Sequence, residues 1–313
     1  MEMLQIIIPS RMKGARLDAS LAEMLPDYSR SKITAWIKSG DALINGKIFK
    51  PKDKTSGDEI VFLTLNQKQS NDWIAEEIPL NVVYEDEDII VINKQFGLVT
   101  HPGAGNWTGT LANALLYYDP TLSRLDRVGI VHRLDKNTSG LMVVARNEKS
   151  QKYLVEQLQN HSVDREYSAI VYGHMIAGGT VDEPIGRDSR DRVKQAVSQS
   201  GKEALTHYRA IDRFKSHTHV KAILETGRTH QIRVHLSYVG HSLIGDPMYG
   251  GRVRFPKKAS EELKKALLKF KRQALHSKKL TLKHPISGEV MSWKAPLPDD
   301  MQELLSVLKE FDS

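Results

Sequence analysis

The chain has 313 residues, 40% hydrophobic and 27% charged, with 45 Lys/Arg against 38 Asp/Glu, a net charge of +7 and a pI near 9.3. That length exceeds one ordinary core, so two domains of a soluble globular protein are expected, and no apolar run nears the roughly 20 residues a membrane helix needs. The absence of cysteine excludes disulfides and thiolate metal sites and fits a reducing cytoplasm, and the start MEMLQIIIPS lacks the basic n-region of a signal peptide.

Charge is distributed unevenly. Residues 10–58 carry ten Lys/Arg against six Asp/Glu, residues 59–93 one against eight, and residues 94–313 carry 34 against 23. Two basic blocks around an acidic one suggest surfaces that meet a polyanion, although a high pI serves solubility equally well.

In chain order, Leu17, Leu21, Met24 and Leu25 recur at helical spacing until Pro26. Ser29 or Ser31 can cap a second helix with Ile33, Trp36 and Ile37 in one stripe and Gly40 at its end. ALINGKIF then offers two short strands joined by Asn45-Gly46, a type I′ turn pair. Arg16, Arg30, Lys32, Lys38, Lys47 and Lys50 fall between the apolar positions and share the outer surface. LNQKQSNDWIAEE, polar and aperiodic, reads as a linker.

Beyond Pro79, NVVYEDEDIIVINK predicts two strands around an acidic turn. Helices are predicted at 108–118 (Leu111, Leu115 and Tyr118 on one face), at 149–161 (Tyr153, Leu154 and Leu158), at 230–240 and at 299–311. Strands are predicted at EYSAIVYG, ALTHYRAIDRF, THVKAILETG and LTLKHP. Hairpins outnumber βαβ units, so the fold class is α+β with a largely antiparallel sheet.

Asp135 sits in GIVHRLDKNTSGLMVVARN among His132, Arg133, Lys136 and Arg146, where a solvated turn aspartate is the plain reading. HPGAGNWTGT lacks both the dinucleotide spacing and the P-loop lysine, so no nucleotide cofactor is expected. The twelve histidines show no metal-ligand spacing, and no metal is expected. Thr229 can cap a helix carrying Arg233, and Arg228 and Arg233 both suit a carboxylate or a phosphate.

HRLDKNTSGLMVVA, REYSAIVYG and ETGRTHQIRVHL, followed by GDPMYGG and ALHSKKLTLKHP, together resemble the pseudouridine synthases of the RluA/RluD family. The helix, helix, hairpin pattern with a basic face resembles an S4 RNA-binding domain, which points to the RluD type. The resemblance implies an S4-like domain at 10–63, a linker at 64–79 and a catalytic domain at 80–313 with a largely antiparallel mixed sheet. It implies Asp135 as catalytic aspartate, Tyr167 as active-site tyrosine and Arg233 as the arginine paired with that aspartate. Arg133 is implied in displacing the target base, with His132 in the same motif. The RNA-binding set is then His132, Arg133, Arg228, Arg16, Arg30, Lys32 and Lys47. The implied reaction is isomerisation of uridine in 23S ribosomal RNA, in the helix-69 stem-loop, by base flipping in a monomer without cofactor. A non-catalytic ribosome-assembly factor on the same scaffold is the competing class, and a glycosidase would need a second carboxylate.

Overall fold

The computed structural model describes residues 2–26, 28, 30–65, 73–103, 105–191 and 193–312. Its N-terminal part contains β1 (Glu2–Ile7), α1 (Leu17–Met24), α2 (Arg30–Ser39), β2 (Ala42–Ile44) and β3 (Ile60–Leu65), with the sheet ordered β1-β3-β2. The helical stripes pack as their spacing requires. Leu17, Leu21, Ile33, Trp36 and Ile37 are buried together against Ile44, Val61 and Leu63. Asn45 and Gly46 both take positive φ (48° and 76°), the backbone that a type I′ turn demands. The expected second strand of that hairpin does not form. Only an isolated bridge joins Ile44 to Lys47, and β2 pairs instead with the distant β3. The caps expected from Ser29 or Ser31 and residues 66–72 of the expected linker lie outside the described residues.

The larger part runs β4 (Val82–Glu85), β5 (Ile89–Lys94), α3 (Leu111–Tyr118), β6 (Ser139–Ala145), α4 (Glu148–Gln159), β7 (Asp164–Tyr172), β8 (Gly179–Asp182), β9 (Ile185–Arg187) and β10 (Gln195–Val197). It continues with β11 (Leu205–Arg213), β12 (His217–Leu224), α5 (Gln231–Tyr238), α6 (Glu261–Lys269), β13 (Leu275–Lys283), β14 (Val290–Lys294) and α7 (Asp299–Phe311). Nine strands form one sheet, ordered β4-β5-β6-β13-β7-β12-β11-β8 with β14 beside β13, and β9 and β10 form a separate hairpin. Every pairing in the large sheet is antiparallel except β6 with β13.

Alternation along the strands builds two cores. Ile90 and Ile92 of β5, Met142 and Val144 of β6, and Tyr167, Ala169 and Val171 of β7 pack with Leu111, Leu115, Ile232 and Leu236 of α3 and α5. Ile89, Val91, Leu141 and Val143 face the other way toward Leu154 of α4, while Ile170 meets α6 and α7. Both faces are covered, so β5 and β6 read as unbroken apolar runs instead of alternating ones. Tyr118, expected on the buried face of its helix, is 43% exposed.

The β6–β13 pairing is short, His276 with Ser139 and Ser277 with Gly140. Gly140 has φ +116°, and a Cβ there would lie 2.3 Å from the Ser277 carbonyl oxygen, so only glycine fits this approach. Among the described residues no helix is long and apolar enough to cross a membrane.

Candidate active site

Asp135 lies on the loop entering β6, on the sheet face that also carries Tyr167. The loop backbone is pinned from below. Thr100 Oγ1 donates to the Leu134 carbonyl at 2.8 Å, Lys94 Nζ and the Gly97 amide donate to the Lys136 carbonyl at 3.2 and 2.8 Å, and Arg272 Nη1 donates to the Asn137 carbonyl at 3.3 Å. Lys94 is 2% exposed, and burial draws its ammonium down to about 7, with Asp135 opposing that shift. Arg272 in turn binds Asp300 at the start of α7 through both arms of its guanidinium, at 2.7 and 2.8 Å. The Asp135 loop therefore rests on two buried basic side chains, and neither was singled out in the sequence.

The partner of Asp135 is Arg233. Its Nη1 donates to Asp135 Oδ2 at 2.8 Å, while Nε and Nη2 donate to the two oxygens of Asp246 at 2.7 and 3.0 Å. Asp246, with a fully buried side chain, also accepts the Met248 and Tyr249 amides at 2.9 and 3.0 Å. Burial works against its charge, but the Arg233 and amide hydrogen bonds outweigh that and hold its carboxyl below the usual range. An Asp before Pro247, which has no N–H of its own, favours capping the next two amides. That was the available sequence signal in GDPMYGG.

Thr229 does not cap α5. The N-cap is His230 in the left-handed region (φ 60°) without a side-chain cap, and Gln231 Oε1 accepts the Arg228 amide instead. The left-handed turn brings His230 Nε2 to 3.8 Å from Asp135 Oδ1, with Nδ1 at 2.9 Å from the Tyr249 hydroxyl. Arg146 is no neighbour of Asp135, since it pairs with Asp119 at 2.9 Å.

Asp135, Tyr167, Arg233, His132, Arg133 and Arg228 all line one cavity of about 520 Å³, also walled by His101, Arg127 and Arg165. Tyr167 is 6% exposed, and burial raises its phenol, so the ring enters the site protonated. His132 Nε2 accepts the Val143 amide at 3.0 Å, and burial pushes the imidazole down to about 3, so it is a neutral staple between loop and strand. Arg133 is exposed at the mouth, and Arg228 donates to the Glu203 carbonyl at 2.8 Å. The other four expected RNA contacts lie outside the cavity. Arg16 and Arg30 converge on the buried Asp18 at 3.0 Å with half their side chains exposed, Lys47 is exposed, and Lys32 is paired with Glu148 of α4. Asp86, Asp88 and His284 also cluster, away from this cavity. His284 Nδ1 accepts the Ser287 amide at 3.1 Å, which leaves its Nε2 proton to donate to Asp86.

Burial also lowers His101 and His276, each to about 4. An unfolded chain would protonate these three histidines near pH 6.5, whereas the folded one resists until far lower pH. Stability is therefore expected to be complete above about pH 6.5 and to fall as pH drops from there toward 4, by up to about 1.4 kcal/mol per pH unit for each histidine. Urea midpoints measured at stepped pH check this, and a flat midpoint from pH 7 to 5 would contradict it.

A carboxylate fixed by an arginine in a cavity of this size can act as nucleophile or base on a small planar ring. The RNA pseudouridylate synthase family matches residues 88–238. "Ribosomal large subunit pseudouridine synthase D" of Escherichia coli O6:H1 is 55% identical over 95% of this chain and 91% of its own. The protein of the same name from Pseudomonas aeruginosa is 49% identical over 97% of this chain and 95% of its own. Among solved structures, human RNA pseudouridylate synthase domain containing 4 is 27% identical and covers 73% of this chain and 93% of its own, with a TM-score of 0.58. By these matches the chain belongs to the RluA/RluD family of RNA pseudouridine synthases and is an enzyme of that kind.

Proposed function

We propose that this enzyme converts uridines of large-subunit ribosomal RNA to pseudouridine in the cytoplasm, acting on the helix-69 stem-loop. The observation that carries the reading is Asp135 held by Arg233 in the cavity beside Tyr167. The relatives named for the large subunit support the choice of RNA.

The reaction breaks the N1–C1′ bond, turns the uracil and joins C5 to C1′. One proton leaves C5 and one is gained at N1, so the product is an isomer. Asp135 supplies the nucleophile, and Arg233 keeps its carboxylate aimed into the cavity. The target base must leave its stack, at a cost of a few kcal/mol. Tyr167 stacks on the extruded ring, Arg133 takes the place the base vacates, and Arg228 meets flanking phosphates. Mapping pseudouridine in ribosomal RNA from cells lacking the protein, before and after adding it back, tests the assignment. Unchanged modification of the helix-69 loop would refute it.

The N-terminal part acts as an S4-like RNA-binding module through Arg16, Arg30, Lys32 and Lys47, joined to the catalytic part by the linker. Trp73, Ile78 and Leu80 pack on the catalytic core, so a clean truncation ends before them. Deleting residues 1–65 is expected to weaken RNA binding and flatten its salt dependence, by about 0.7–0.9 in slope for each phosphate that the module neutralises. The saturating single-turnover rate should change little. Affinity measured at several salt concentrations checks this, and an unchanged slope would show that the module does not touch the RNA.

A further inference from the structure

We propose that Arg165 is a further catalytic residue, whose guanidinium donates to a carbonyl oxygen of the uracil while it is detached from the ribose. This rests on the reading of the Asp135 cavity as the uridine site. Arg165 and Tyr167 are two residues apart on β7, so both side chains rise from the same face of the sheet, and both line the cavity with Asp135.

Buried arginines elsewhere in this enzyme are matched to acids, Arg233 to Asp246 and Asp135, Arg272 to Asp300. Arg165 is 5% exposed, yet among the described residues it forms no ion pair with a carboxylate. Its Nη2 donates to the Glu225 and Leu224 carbonyls at 2.7 and 3.4 Å, and its buried Nε has no hydrogen-bond partner. Space is kept for the head group, because a Cβ on Gly227 would stand 2.8 Å from Arg165 Nη1. A buried cation at a cavity wall with no carboxylate to balance it is costly unless a ligand completes it.

The chemistry calls for such a donor. When the N1–C1′ bond breaks, its electron pair goes to the uracil and spreads over N1, O2 and O4. That pair returns through C5 to form the C5–C1′ bond, as the C1′–oxygen bond made when Asp135 displaced N1 breaks and returns its electron pair to the carboxylate. The C5 proton then passes to solvent, and N1 takes a proton in exchange. Asp135 can donate nothing, and the Arg233 donors facing this site are held by two carboxylates. Arg165 is the buried cation with capacity left.

The test measures single-turnover rates at saturating RNA for full-length wild type, Arg165→Gln and Asp135→Asn. It uses stem-loops carrying uridine or 5-fluorouridine at the target, with melting temperature and RNA affinity measured in parallel. Fluorine stabilises the uracil anion, so the need for the donor is smaller. For Arg165→Gln the expected result is a loss of about 100-fold on uridine, with affinity retained and a clearly smaller loss in consumption of 5-fluorouridine. A wild-type rate, or the same loss on both RNAs, would overturn the proposal and leave Arg165 as a cap on the end of β12. Should Arg165→Gln fail to fold, Gly227→Ala displaces Nη1 with the charge retained and must show the same dependence on the fluorine. An active Asp135→Asn variant would sink the reading of the cavity itself, whereas an inactive one beside a fully active Arg165→Gln would sink this proposal alone.

Discussion

Asp135→Asn is expected to abolish isomerisation, by on the order of 10⁴-fold or more, while the protein folds and binds RNA as before. The amide oxygen can still accept from Arg233 Nη1, which now reaches Asp135 Oδ2 at 2.8 Å, so the cavity keeps its shape. The loop carrying residue 135 is fixed through the carbonyls of Leu134, Lys136 and Asn137, and none of these depends on the side chain. What disappears is the nucleophile. Measurable single turnover by an Asn variant shown by mass spectrometry to be free of deamidation would exclude a nucleophilic role.

The second large effect is expected at Asp246, which touches no substrate in this reading. Asp246→Leu strips Arg233 of two hydrogen bonds and leaves the Met248 and Tyr249 amides without their acceptor. Removing one member of a buried ion pair costs about 3–5 kcal/mol, so the urea midpoint should fall steeply. Asp246→Asn separates structure from catalysis, because its amide oxygen can still accept backbone N–H groups while the charge is gone. That variant should remain folded and lose turnover by about 100-fold, the scale of a small misplacement of a reacting group. Affinity for RNA should be retained. A wild-type rate in a folded Asn variant would show that Arg233 needs no second carboxylate.

Features set by near neighbours in the chain were legible in the sequence. Leu17 with Leu21, Ile33 with Trp36 and Ile37, and the helix at 299–311 all follow from a period of three to four residues. Asn45-Gly46 revealed its turn, but local pattern could not show that Ala42–Ile44 would take Ile60–Leu65 as its partner. The site divides in the same way. Asp135, Tyr167 and Arg233 lie within motifs of distinctive spelling, whereas Lys94 and Arg272 lie in none and matter through contacts across 42 and 135 positions. Asp246 lies in GDPMYGG, but its contact with Arg233 13 positions away was not legible there. Thr229 illustrates the opposite error. It has the right chemistry for a cap, yet the chain turns left-handed at His230 and Gln231 takes the amide.

The order of strands has a consequence for synthesis. β6 and β7 are neighbours along the chain, but β13 lies between them in the sheet, so the gap stays open until residues 275–283 leave the ribosome. A nascent chain halted at residue 270 already holds Asp135, Tyr167, Arg233 and Asp246. It lacks Ser277, which meets Gly140 at the seam, and Arg272, which props the Asp135 loop. Such a chain carries two unpaired apolar strand edges, the kind of surface that invites chaperones or wrong partners. The reactive pocket is thus completed late in translation, by the strand that closes its floor.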